Sequence, residues 1–193
     1  MICITGNMPV LQIGRHQISN YPTDWIEEAL HRAAQSSHGQ DLPFIADIRD
    51  GILHYLQNRC SLKLLTLEEL YERMRQMLKK VGCPAIARNL PLVAPPLTIS
   101  LVEAAQEAGN GFELVFFKIL REEFQELHHY GVEKIHFADL AECARILRGR
   151  KKDNIHSRQL ADDIAAYLEK LEERDEKKRA LSCGMNFPAT NFH

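Results

Sequence analysis

Apolar positions along this chain alternate between two rhythms, one close to a helical turn and one close to a strand. After Pro22-Thr23-Asp24, the residues Trp25, Ile26, Ala29, Leu30 and Ala33 return on one face, which predicts a first helix to about Gln35. Ile45, Ile48, Ile52, Leu53 and Leu56 repeat the pattern within LPFIADIRDGILHYLQNRC and predict a second. Thr66 precedes Leu67-Glu68-Glu69 at capping-box spacing, where a Thr hydroxyl accepts from one unpaired amide and Glu69 reaches back to another. A third helix therefore starts there, with Leu67, Leu70, Tyr71, Met74, Met77 and Leu78 facing inward and Glu68, Glu72, Arg73 and Lys79 facing water. Lys79-Lys80 suit the negative end of its dipole, and Gly82 can stop it. Ahead of these helices, MICIT and VLQIG flank Gly6-Asn7-Met8-Pro9 and predict a small hairpin, followed by a polar loop.

The paired prolines of LPLVAPP disfavour helix and fix an extended connection over residues 91–96. Beyond it, LTISLVEAA and FELVFFKI flank the glycine-rich QEAGNG and predict a second hairpin, although VEAAQEA and FFKILREEF also carry helical spacing. The β-rich starts favour strands, with a helix from about Leu120 to His129. VEKIHF predicts a further strand after Gly131, and Asp139 or the residue before it opens LAECARIL as a helix. Ser157 is the expected cap of a last helix built on Leu160, Ile164, Tyr167, Leu168 and Leu171, which fades into the charged EERDEKKRA. The result is an α+β protein. Residues 1–90 form a hairpin with a helical cluster, 91–96 a connection, 97–181 a smaller mixed α/β portion with a long terminal helix, and 182–193 an irregular tail.

Composition narrows the functional classes. With 24 Lys plus Arg against 26 Asp plus Glu and a net charge of −2, no global field favours nucleic acid or an anionic membrane. No apolar run approaches the length of a membrane span, and MICITGNMPV lacks the features of a secretory signal, so a cytoplasmic location is expected. The five dispersed cysteines contain no CxxC and read as reduced thiols.

Candidate chemistry is sparse. GNG at 109–111 lacks the Lys and Ser/Thr of a phosphate loop, and no GxSxG or GxGxxG is present. His128, His129, His136 and Cys143 are donor types without a zinc spacing, so no metal site is predicted. Asp47, Arg49, Asp50 and His54 share one predicted helix, at spacings that allow a carboxylate to orient the imidazole, and the favoured reading is a surface charge cluster. Arg145, Arg148, Arg150, Lys151, Lys152 and Arg158 form the densest basic segment, without the interleaved aromatics of a single-strand binder. No nucleophile, base and orienting group can be placed together, and no catalytic activity is predicted.

The order hairpin, helix, helix, then LTLEELYERMRQMLKKVGCPAIARNL resembles the ATP cone, a small nucleotide-binding regulatory module of ribonucleotide reductases and some transcriptional repressors. Gly6-Asn7, Trp25-Ile26-Glu27-Glu28-Ala29-Leu30, Thr66-Leu67-Glu68-Glu69-Leu70, and Val81-Gly82 through Ala87-Arg88 carry the resemblance, which spans about residues 1–90. It implies a non-catalytic ligand-binding or regulatory protein with ATP or dATP as ligand. The family hairpin presents Lys and Arg before its turn. Cys3-Ile4-Thr5 occupy that place here, which leaves Arg15 and His16, with Lys79 and Arg88, as candidate ligand-binding residues. The alternative is an assembly protein whose Phe112 to Ile119 segment and terminal helix form a homodimer surface.

Overall fold

The computed structural model describes residues 8–37, 44–149 and 154–184. It is mixed α and β, as the sequence pattern predicts, and divides into two compact units. Unit 1 comprises Met1–Thr98 and Gln125–His136, and unit 2 comprises Ile99–Phe124 and Phe137–His193.

Unit 1 opens with β1 (Val10–Ile13) and β2 (His16–Ile18), which pair antiparallel with Leu11 opposite Ile18 and Ile13 opposite His16. The hairpin therefore sits later than expected. VLQI is its first strand rather than its second, and the stretch RHQIS, read as a polar loop, supplies the second. The reason is Gly14, whose φ of +55° makes the tight turn at the Gly14-Arg15 corner. MICIT and Gly6-Asn7 lie outside the described residues. Period-two burial follows: Leu11 and Ile13 are fully buried, while Val10 and Gln12 are half-buried.

Next come α1 (Asp24–Gln35) and α2 (Ile45–Asn58), then β3 (Leu64–Thr66), α3 (Leu67–Lys80) and α4 (Pro84–Asn89). β3 lies parallel to β1, giving the order β2-β1-β3. On α1, Trp25, Ile26, Ala29, Leu30 and Ala33 are all buried, so the predicted face is the one that packs. α3 begins with both halves of the capping box: Glu69 N donates to Thr66 Oγ1, and Thr66 N donates to Glu69 Oε2, each at 3.2 Å. Its inward stripe is buried at Leu67, Leu70, Tyr71, Met74 and Leu78, with Met77 half-buried.

Residues 91–96 lie inside unit 1 and are held there by hydrogen bonds. The buried Tyr71 hydroxyl donates to Val93 O at 2.7 Å and accepts from Val93 N at 2.8 Å. One side chain so satisfies both polar groups of a buried non-helical residue. Ala94 N donates to Gly131 O at 2.9 Å. Gly131 has φ +77°, and a Cβ there would fall 2.3 Å from Leu92 O, so only glycine allows this approach.

β4 (Leu97–Ser100) and β5 (Ile135–Ala138) pair as a second, two-stranded sheet. Among its described residues the other regular elements of unit 2 are helices, α5 (Leu101–Ala108), the first part of α6 (Glu113–His129), α7 (Leu140–Leu147) and α8 (Ile155–Gly184). Leu101, Ala105, Phe116, Leu120, Ala144 and Ile164 belong to its core. Here the expected second hairpin is not formed. LTIS is a strand, but LVEAAQEA and all of ELVFFKILREEFQELHH are helical. Phe116, Leu120, Phe124 and Leu127 are buried at spacings of three and four, the period of one helix face. The cap of α8 is also one turn earlier than expected: Ser157 N donates to Asn154 Oδ1 at 2.8 Å and Asn154 N donates to Ser157 Oγ at 2.9 Å, so Asn154 caps and Ser157 reciprocates. The charged EERDEKKRA continues this helix, which takes in residues 182–184. The rest of the expected tail lies outside the described residues.

Candidate functional site

The four residues singled out as candidate ligands fall on three elements. Arg15 is exposed in the turn of the β1–β2 hairpin, and His16 is half-buried as the first residue of β2. The adjacency is covalent, so both belong to one corner of the sheet. Lys79 is exposed in the last turn of α3, and Arg88 in the last turn of α4, a helix that packs against α3. Both cations sit at the negative end of a helix dipole. Because the turn is at Gly14-Arg15, the residues just before it are Gln12 and Ile13. Gln12 Nε2 donates to Gly14 O at 3.2 Å, and Ile13 is core. The cation of this hairpin is thus within the turn rather than ahead of it.

Carboxylates cluster on another part of unit 1. Arg32 on α1 donates to Glu133 Oε1 at 2.5 Å and Oε2 at 2.8 Å, and also to Glu28 one turn back. These hydrogen bonds hold the Arg32 guanidinium well above its ordinary pKa. Beside them lies a notch of about 150 Å3, walled by Trp25, Ala94 and Pro96. With Arg32 already engaged, this cluster ties α1 to the segment after α6 within the unit. The α2 cluster is resolved similarly: Asp50 Oδ1 accepts from Arg49 Nε and Nη2 at 3.0 and 2.8 Å, and Arg49 also donates to Glu27 of α1.

The remaining candidates separate by burial. Cys143 is fully buried on α7, and desolvation pushes its thiol up to about 12, so it packs as a small apolar group. His128 and His129 end α6 and His136 lies in β5; among the described residues no group of three or more His, Cys, Asp or Glu is placed to hold a metal ion. Arg145 pairs with Glu142 at 3.7 Å and Arg148 with Glu113 at 3.1 Å, while Arg150, Lys151 and Lys152 lie outside the described residues. The helix ends of α5 and α7 meet through Ser100 Oγ, which donates to Asp139 Oδ2 at 2.6 Å.

One feature escaped the sequence pattern. Between α2 and α3, within unit 1, is a cleft of about 280 Å3 to which Tyr55, Arg73, Met77 and Lys80 contribute. Arg73, read as a solvated residue, is half-buried here and donates to the Tyr55 hydroxyl. Its pairing needs α2 and α3 side by side, a contact that neither helix's own periodicity encodes.

No protein-family model, curated protein or solved structure matches this chain. Among the described residues, no helix is long and apolar enough to cross a membrane.

Proposed function

We propose that unit 1 is a non-catalytic ligand-binding or regulatory module of ATP-cone type, with ATP or dATP as its ligand and Arg15 and His16 at the phosphate end. The observation that carries this reading is the hairpin itself. Its glycine turn at Gly14 puts Arg15 at the corner, and after β2 the order continues α1, α2, β3, α3, α4. The capping box at Thr66, the stop near Gly82 and the short α4 through Ala87-Arg88 fit the remainder of the resemblance. A planar, permanently charged guanidinium is suited to phosphate oxygens. Ligand would act by favouring the conformation that binds it better. A cytoplasmic location accompanies this reading.

Calorimetric titration with ATP, dATP and GTP in the presence of magnesium tests it. Binding of an adenine nucleotide is expected, weakened about tenfold by Arg15→Ala through loss of one charge-assisted hydrogen bond. Unchanged affinity in that variant would remove the site assignment, and absence of binding by all three would remove the nucleotide.

A second reading, homodimer assembly, is favoured by a separate observation. Just before α6 and in its first turn, Phe112, Leu114 and Val115 are 59%, 85% and 44% exposed. Large apolar side chains left in water at neighbouring positions are commonly covered by a partner. The segment is helical, so the contact would be helix against helix, with the terminal helix as the other candidate face. Light scattering at micromolar concentration giving the monomer mass would eliminate this reading.

A further inference from the structure

The α2–α3 cleft has the chemistry of a binding site separate from the hairpin corner. Ile52, Leu70 and Met74 close its floor and are each only 1% exposed, so the apolar surface open to an occupant is that of the wall. Met77 and the Tyr55 ring add adaptable and flat apolar surface along the wall. Its charged lining residues, Arg73 and Lys80, are both cations. They are seven residues apart on α3, two turns or about 10 Å along the axis, and therefore share a face. Glu72 is exposed and holds the Gln76 amide at 3.2 Å, so that amide is already committed.

The Arg73 guanidinium is positioned before any ligand arrives. One nitrogen donates to the Tyr55 hydroxyl, and its central carbon lies 5.9 Å from the centre of the Tyr55 ring. That arrangement restrains a long side chain beside an apolar floor and lowers the ordering cost of binding an anion. The volume of about 280 Å3 lies at the lower edge of the range for small-molecule sites, too small for a large ligand to be mostly enclosed. An apolar wall that takes hydrocarbon and a cationic rim that takes one negative head together define the occupant.

We propose that this cleft binds a medium-chain aliphatic carboxylate, its chain along the Met77 side chain and the Tyr55 ring and its head between Arg73 and Lys80. The site is independent of the nucleotide reading, because none of its lining residues belongs to the hairpin corner.

Methyl NMR on the full chain labelled at methionine tests the proposal, since Met74 and Met77 report from floor and wall. Octanoate, octanol and octyltrimethylammonium are titrated separately below their micelle concentrations. Octanoate is expected to shift both methyl signals saturably and to bind at least tenfold more tightly than the other two. Lys80→Glu, at an exposed position, is expected to weaken octanoate at least fivefold while leaving the spectrum folded, and Arg73→Gln to weaken it further. Equal affinity for all three heads, octanoate binding that leaves both methyl signals unmoved, or no octanoate binding would overturn the proposal. So would an octanoate affinity unchanged by Lys80→Glu and Arg73→Gln together. If an acidic amphipathic peptide shifts both signals while octanoate does not, the cleft is a protein-docking groove and the small-ligand assignment fails.

Discussion

α3 and the first two turns of α6 are both helices rich in apolar residues, yet they dispose of them differently. On α3, the residues Leu67, Leu70, Tyr71, Met74 and Leu78 are spaced by three and four, and all are buried. On α6, Leu114, Val115, Phe116 and Phe117 follow one another directly, and successive positions turn by about 100°. One face cannot hold all four. Phe116 is fully buried, whereas Leu114 is 85% exposed. Spacing decides which side chains contribute to folding, and a contiguous apolar run leaves a surplus outside.

The comparison breaks most visibly at the buried member of the run. Phe116→Ala is expected to cost about 4 kcal/mol, through lost transfer energy and the cavity left behind. Chemical denaturation followed by circular dichroism checks it; a loss under about 1 kcal/mol would mean that this face is not core.

Tyr71→Phe sharpens the α3 side. Removing the hydroxyl strands Val93 N–H and C=O in a buried place, with an expected loss of about 2–3 kcal/mol. Trp25, whose ring centre lies 6.1 Å from that of Tyr71, supplies a local fluorescence probe for the unfolding curve. A neutral result would show that water or another donor replaces the hydroxyl.

Thr66→Ala removes the cap and should cost about 1 kcal/mol, read from the same denaturation midpoint. No shift in that midpoint would show that the capping box adds nothing measurable. Smallest of all, Leu114→Ser should stay within about 0.5 kcal/mol in a monomer, its side chain being in water already. If the parent protein's stability falls on dilution and Leu114→Ser abolishes that dependence, α6 is covered by a second copy and the surplus has a purpose.

The same contrast explains which parts of the fold were legible in the sequence. α1 and α3 were readable because their apolar residues have a single period and α3 carries a Thr–Glu cap. FELVFFKI reads as strand because an unbroken apolar run favours no single period, and it is helical because Phe116 and Leu120 are buried in the core of unit 2. The hairpin was displaced for another reason. Gly6-Asn7 and Gly14 both read as turn signals in the sequence, and His16–Ile18 is so short and polar that its strand character depends on pairing with β1. The cationic rim of the α2–α3 cleft was hidden too: Lys80 reads as a helix-end charge and Arg73 as a wet face until Tyr55 is brought beside it from α2.

The most direct test of the proposed regulatory role is thermal unfolding of the full chain with and without millimolar ATP, dATP and GTP, magnesium being present throughout. A ligand at about 100 times its dissociation constant stabilises the folded state by about 2.7 kcal/mol, a shift of several degrees in midpoint. The account predicts such a shift for an adenine nucleotide and its reduction in Arg15→Ala. Identical midpoints with every nucleotide would contradict it and leave the hairpin and its helices as architecture alone.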